Sequence, residues 1–271
     1  MIYPWKRFWC KADGAYRLEP NGYLQDPEDS FSRITNPDVL PLGKVHLPCI
    51  ALLGEPGIGK TKALENERAN IENAISDSAD GLLWIDLKEY GDEDHLLRDL
   101  FESNEFKSWS SSDYTLHVFL DSLDECRIYI PNVVNLLKAN LLKHAHQLER
   151  LRFRIACRTA DWPKSLQELF VELWGKESVG VFELAPLRLK DVIVAAQTEG
   201  LDADAFMEAV AQMSAQPLAI KPITLRMLLR IFRRDGRLPP TQIDVYEQGL
   251  MLLCEDPSSS PKISEFENKL G

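Results

Sequence analysis

Residues 47–61, LPCIALLGEPGIGKT, constrain this chain more than any other stretch. Ile50-Ala51-Leu52-Leu53 is a short apolar run of the kind that forms a buried parallel strand. Gly54-Glu55-Pro56-Gly57-Ile58-Gly59-Lys60-Thr61 meets every fixed position of the G-x-x-x-x-G-K-[ST] pattern. The following KALENERANIENA predicts a helix. Strand, glycine loop and helix in that order are the setting this pattern needs to cradle phosphates. The glycines let consecutive N–H groups turn inward without Cβ clashes. The helix adds the positive end of its dipole. Lys60 is placed to reach β- and γ-phosphates, and the Thr61 hydroxyl to ligate Mg2+. The expected nucleotide-binding set is therefore Gly54 to Thr61 together with Lys62.

A second constellation lies further on. Leu116-His117-Val118-Phe119-Leu120 is apolar enough for a buried strand and ends in Asp121. Set beside the loop by a parallel sheet, Asp121 could hold Mg2+ or its water. Asp124 and Glu125 follow at once. Hydrolysis needs a carboxylate that polarises a water in line with the γ-phosphate, and Glu125 is the first candidate, Asp124 the second.

Strand and helix patterns alternate around these motifs. Further strands are expected over residues 81–87, 151–158 and 179–184, and helices over 94–101, 131–146 and 165–174. That alternation predicts an α/β fold: a three-layer P-loop NTPase core with a parallel sheet and helices on both faces. Asp86, ending the second strand, could approach the ligand edge of the sheet. His117 reads as a sheet-face histidine. Arg152 and Arg154 read as facing outward or pairing with acids. After Pro186 the pattern turns all-helical, with helices over 189–200, 203–213, 222–234 and 241–254. The expected division is an irregular N-terminal strap over 1–46, the core over 47–187, a helical subdomain over 188–254, and a linker or the start of a further domain over 255–271. Within the strap, residues 34–42 either wall a base pocket or simply pack.

Composition narrows the function. The net charge of −11 argues against a general nucleic-acid surface, which needs a basic face. No run approaches about 18 apolar residues, so no membrane span is expected, and MIYPWKRFWC lacks the apolar region of a signal peptide. The five cysteines are odd in number and none makes a C-x-x-C pair. That favours free thiols, a reducing compartment and a cytoplasmic location.

Val118-Phe119-Leu120-Asp121-Ser122-Leu123-Asp124-Glu125 resembles the hhhhD[GAS]hDE signature of NACHT domains. These are signalling NTPases of the STAND class within the larger AAA+-like group, and the bacterial antiphage members look most similar. The resemblance covers roughly residues 45–254. It implies that Arg158, closing the fourth core strand, senses the γ-phosphate. It also implies that Pro217, in Ala215-Gln216-Pro217, lies against the nucleotide, although Ala215 stands where glycine is commoner. By the same resemblance the ligands are ATP and ADP with Mg2+, and the ATP state drives self-association in response to a trigger that the sequence does not name. Such proteins continue into a winged helix and a repeat array. This chain stops at Gly271 with neither, so it reads as part of a longer protein. The expected function is a slow, Mg2+-dependent ATPase switch in defence signalling. The alternatives are an AAA+-type motor or loader, or a nucleotide-binding regulatory module with negligible turnover.

Overall fold

Every residue of Cys49–Leu53 is buried, as a strand covered on both faces requires. This strand is the centre of the larger of two units in the computed structural model, which describes residues 3, 5–30, 32–76 and 78–254. Of the described residues, the larger unit holds those of 7–16 and 27–185, and the other holds those of 1–6, 17–26 and 186–254.

The larger unit carries a seven-stranded sheet. Its strands are β1 (Trp9–Lys11), β2 (Val39–Leu40), β3 (Cys49–Leu53), β4 (Gly81–Asp86), β5 (Leu116–Asp121), β6 (Leu151–Cys157) and β7 (Val179–Leu184). Their order is β2-β1-β7-β3-β6-β5-β4. From β7 to β4 neighbouring strands are parallel. Parallel strands need crossovers, and helices supply them. After the short α1 (Ser32–Thr35), α2 (Lys60–Ile75) follows β3, and α3 (Glu93–Phe101) and α4 (Asn104–Ser110) follow β4. Between β5 and β6 come α5 (Leu123–Tyr129) and α6 (Val133–Lys143), and α7 (Lys164–Trp174) leads to β7. Side chains alternate across the sheet. Cys49, Ala51 and Leu53 enter one apolar cluster with residues of α3 to α7. Ile50 and Leu52 enter another with Ile58, Ala63 and Leu64.

The smaller unit is helical over its later part: α8 (Leu189–Thr198), α9 (Ala203–Gln212), α10 (Gln216–Ala219), α11 (Pro222–Asp235) and α12 (Gln242–Cys254). Their apolar faces share a cluster that includes Tyr23, Leu187, Phe206, Leu228 and Val245. Asp191 sits in the first turn of α8 and closes a capping box with Arg188.

The structure departs from the sequence reading in four places. The N-terminal segment is not one irregular strap: it adds β1 antiparallel to β7 and β2 antiparallel to β1, and its residues 17–26 belong to the helical unit. Trp9 and Tyr23 anchor the two parts, each almost wholly buried. Helices α4 and α5 were not expected. Pro131 lies in a turn ahead of α6 rather than in its first turn. Arg154 is not outward-facing: it is buried, with its guanidinium over the Phe119 ring at 5.2 Å. Burial pulls its pKa down to about 10, against the attraction of Glu67 on α2. Beside it His117 is pushed down to about 4, chiefly by burial and then by the Arg154 charge. Residues 255–271, read as a linker and the start of a helix, lie outside the described residues.

Candidate nucleotide-binding site

The loop after β3 turns through two left-handed glycines, Gly57 (φ 73°) and Gly59 (φ 94°), a conformation that costs other residues about 1 kcal/mol or more. Gly54 is required for a different reason. A Cβ there would stand 2.8 Å from Ile58 Cγ2, and Ile58 is itself buried. Gly59 caps α2. The N–H groups at the start of a helix have no carbonyl one turn back to bond, so this end of α2 offers donors to an anion. Lys60 Nζ donates to the loop carbonyls of Gly54 at 2.7 Å and Glu55 at 3.2 Å. Lys62 Nζ pairs with Glu65 at 2.9 Å on the exposed face of α2.

Strand β6 separates β3 from β5, and its end presents Arg158 between the loop and the acidic turn. Asp121 ends β5 and is only 2% exposed. Ser122 then takes a left-handed turn (φ 62°), and its N–H donates back to Asp121 Oδ1 at 2.8 Å. That turn starts α5, so Asp124 and Glu125 occupy a first helical turn, where negative charge is favoured. The Arg158 backbone N–H donates to Asp124 Oδ1 at 3.0 Å, and Arg158 Nε pairs with Oδ2 at 2.7 Å. Arg158 Nη2 lies 3.7 Å from Glu125 Oε1. Asp124 has 7% of its side chain exposed and Glu125 45%. Asp124 is thus engaged, and Glu125 is the carboxylate open to water.

Electrostatics place these groups in one neighbourhood. Burial lowers the Lys60 pKa, the Asp124 and Asp121 charges hold it up, and Arg158 lowers it. Burial raises the Asp121 pKa, while the Thr61 hydroxyl and the Ser122 N–H favour the ionised form. Asp121 Oδ2 is buried with no hydrogen-bond partner of ordinary geometry. A buried, unsatisfied carboxylate oxygen close to a hydroxyl suits a hard cation such as Mg2+, which takes oxygen ligands and keeps several waters. Among the described residues no three His, Cys, Asp or Glu side chains form a cage.

Asp86 lies directly opposite Asp121 in the β4–β5 register, and its charge adds to the rise in the Asp121 pKa. Lys88, two residues on, pairs with Asp86 Oδ2 at 2.5 Å. That hydrogen bond raises the Lys88 pKa, and the Asp121 and Glu125 charges add to it. Sequence reasoning missed Lys88. Its only signal was its place just past a strand end on the ligand edge of the sheet. Pro217 lies in the first turn of α10, in the helical unit.

No protein-family model and no curated protein matches this chain. Similar solved structures include PCH-2 of C. elegans, with a TM-score of 0.45 and 14% identity over 75% of this chain and 59% of that one. AMPPCP-bound DnaA from Aquifex aeolicus has a TM-score of 0.37 and 14% identity over 72% and 57%. Domain III of the Thermotoga maritima replication initiation protein DnaA has 0.40 and 14% over 88% and 98%. The chain spans less than two thirds of the length of the first two. No helix among the described residues is long and apolar enough to cross a membrane. A glycine loop between β3 and α2, a carboxylate ending a strand two places away, and parallel order throughout the centre of the sheet give the larger unit a P-loop NTPase fold.

Proposed function

We propose that this chain binds and hydrolyses ATP with Mg2+ and acts as a NACHT-type, STAND-class switch of defence signalling, its nucleotide state controlling self-association. The observation that carries the reading is the double contact of Arg158 with Asp124 inside one chain. It supports a link between Arg158, proposed to sense the γ-phosphate, and the acidic motif, proposed to cleave it. The loop N–H groups and Lys60 bind the phosphate chain. Asp121 and Thr61 would hold Mg2+, which when bound neutralises phosphate charge. Glu125 takes the proton of the attacking water as the bond to the β-phosphate oxygen breaks. Arg158 exchanges its Asp124 contact for the γ-phosphate, so ATP and ADP leave the acidic turn differently bonded. Cys10, Cys49, Cys126 and Cys157 are buried and free, in keeping with a reducing, cytoplasmic setting.

Single-turnover ATP hydrolysis, with light scattering in ATP and in ADP, tests this reading. The expected result is slow turnover by a monomer, because the acidic balance of −11 opposes unassisted association. Fast steady turnover at low protein concentration would favour a motor instead. Binding without any turnover would favour a regulatory module.

A further inference from the structure

The structure assigns to Arg7, far outside the phosphate-loop motif, the task of aiming that loop's Gly59 N–H at phosphate; the inference rests on the nucleotide reading above. Arg7 Nη1 donates to the Ile58 carbonyl at 2.9 Å. Its Nη2 donates to the Ala185 carbonyl, just past β7, at 2.8 Å. The arginine is itself fixed in place. Phe8, the next residue, is buried, and its carbonyl accepts from the Ala185 N–H at 2.9 Å. Trp9 then pairs with Leu184 in the sheet. Ala185 is therefore held through its N–H by Phe8 and through its carbonyl by Arg7.

The consequence for the loop follows from peptide geometry. The peptide unit is planar, and in its trans form the C=O of one residue and the N–H of the next point in opposite directions. All peptide bonds among the described residues are trans. Fixing the Ile58 carbonyl on Arg7 therefore fixes the Gly59 N–H on the opposite side of the loop. The Ile58 side chain is fixed as well, in the cluster with Ile50, Leu52 and Leu64. Gly59 needs such help because a left-handed glycine has no Cβ to restrict its neighbouring peptides. A guanidinium is suited to the work, since its planar fork can bond two carbonyls at once while a lysine ammonium acts as a point charge. Arg7 is a positioning residue: it bonds the loop's outer carbonyl and leaves the inner donors to the ligand.

The test uses the full chain. ADP and ATP affinities are measured by calorimetry with Mg2+ for wild type, Lys60→Ala, Arg7→Ala, Arg7→Lys and Arg7→Gln, alongside the 1H–15N amide signal and hydrogen exchange of Gly59. Arg7→Ala should weaken ADP and ATP equally, by about tenfold, the size of one lost charge-assisted hydrogen bond. The Gly59 amide should shift and exchange faster. Arg7→Lys should be intermediate, and millimolar methylguanidinium should restore affinity to Arg7→Ala. Unchanged affinity and an unchanged Gly59 signal in Arg7→Ala would overturn the assignment. Should Arg7→Ala not fold, wild-type affinity in Arg7→Gln would overturn it equally. Absence of nucleotide binding by wild type would instead defeat the nucleotide reading.

Discussion

Arg158 meets Asp124 through two atoms, its backbone N–H at 3.0 Å and its Nε at 2.7 Å, while Glu125, one residue on, has only a longer contact at 3.7 Å. Two adjacent carboxylates of one motif thus have different work. Asp124 holds the arginine, and Glu125 faces solvent.

Arg158→Ala should cost ATP about tenfold more affinity than ADP, because only ATP carries the γ-phosphate that a charge-assisted hydrogen bond can single out. Asp124→Ala should lose the same discrimination and about 1–3 kcal/mol of stability, since it leaves the Arg158 N–H without its acceptor. The double variant should be no worse in discrimination than either single one. A double-mutant cycle on the two affinities checks this, and additive losses would show that the residues act separately.

Glu125→Gln should bind ATP normally and hydrolyse it about 10²-fold more slowly or worse, the usual size of a general-base effect. The amide keeps the shape of the side chain and cannot take a proton. Quenched-flow turnover beside equilibrium binding gives both numbers, and a parallel fall in affinity would place Glu125 in binding instead.

Asp121→Asn should raise the melting temperature near neutral pH while removing the Mg2+-dependent part of ATP affinity. Burial raises the Asp121 pKa in the fold. A carboxyl raised in this way destabilises the folded state once pH rises above its unfolded pKa, because the unfolded chain ionises first. The gain from asparagine should therefore vanish at acid pH, where the wild-type carboxyl is protonated in both states. The Mg2+ effect on wild-type affinity should fade as pH drops through the raised pKa, since the ligand must be ionised. Melting curves and Mg2+ titrations across pH follow both trends, and an unchanged melting temperature at neutral pH would mean that burial costs Asp121 nothing.

The central strands were legible because each is an apolar run with its own local signal, and the loop because its fixed residues are contiguous. The edge strands were not. β1 is three residues long, and its pairing with β7 depends on a partner some 170 residues away. Helix α4 did carry a readable signal: Ser103 accepts from the Phe106 N–H as its cap, and the buried Phe106 and Trp109 stand three apart on one face. Helix α5 hides inside the acidic motif, whose residues invite a chemical reading first. Arg7 and Lys88 reach the site only through tertiary packing, and Arg154 breaks the expectation that arginines stay outside. The contact of Arg158 with Asp124 could not be read at all, because proximity in a sheet edge sets it and spacing does not.

Equilibrium binding of Mg2+ and ATP by wild type and by Lys60→Ala tests the nucleotide site most directly. Lys60 is half-buried and donates to the loop carbonyls of Gly54 and Glu55, so its removal should leave the far-UV circular dichroism and the melting transition close to wild type. The account predicts saturable binding by wild type and a loss of about tenfold to a hundredfold in the variant, the worth of one charge-assisted contact to phosphate. Wild-type affinity in a folded Lys60→Ala protein would contradict it.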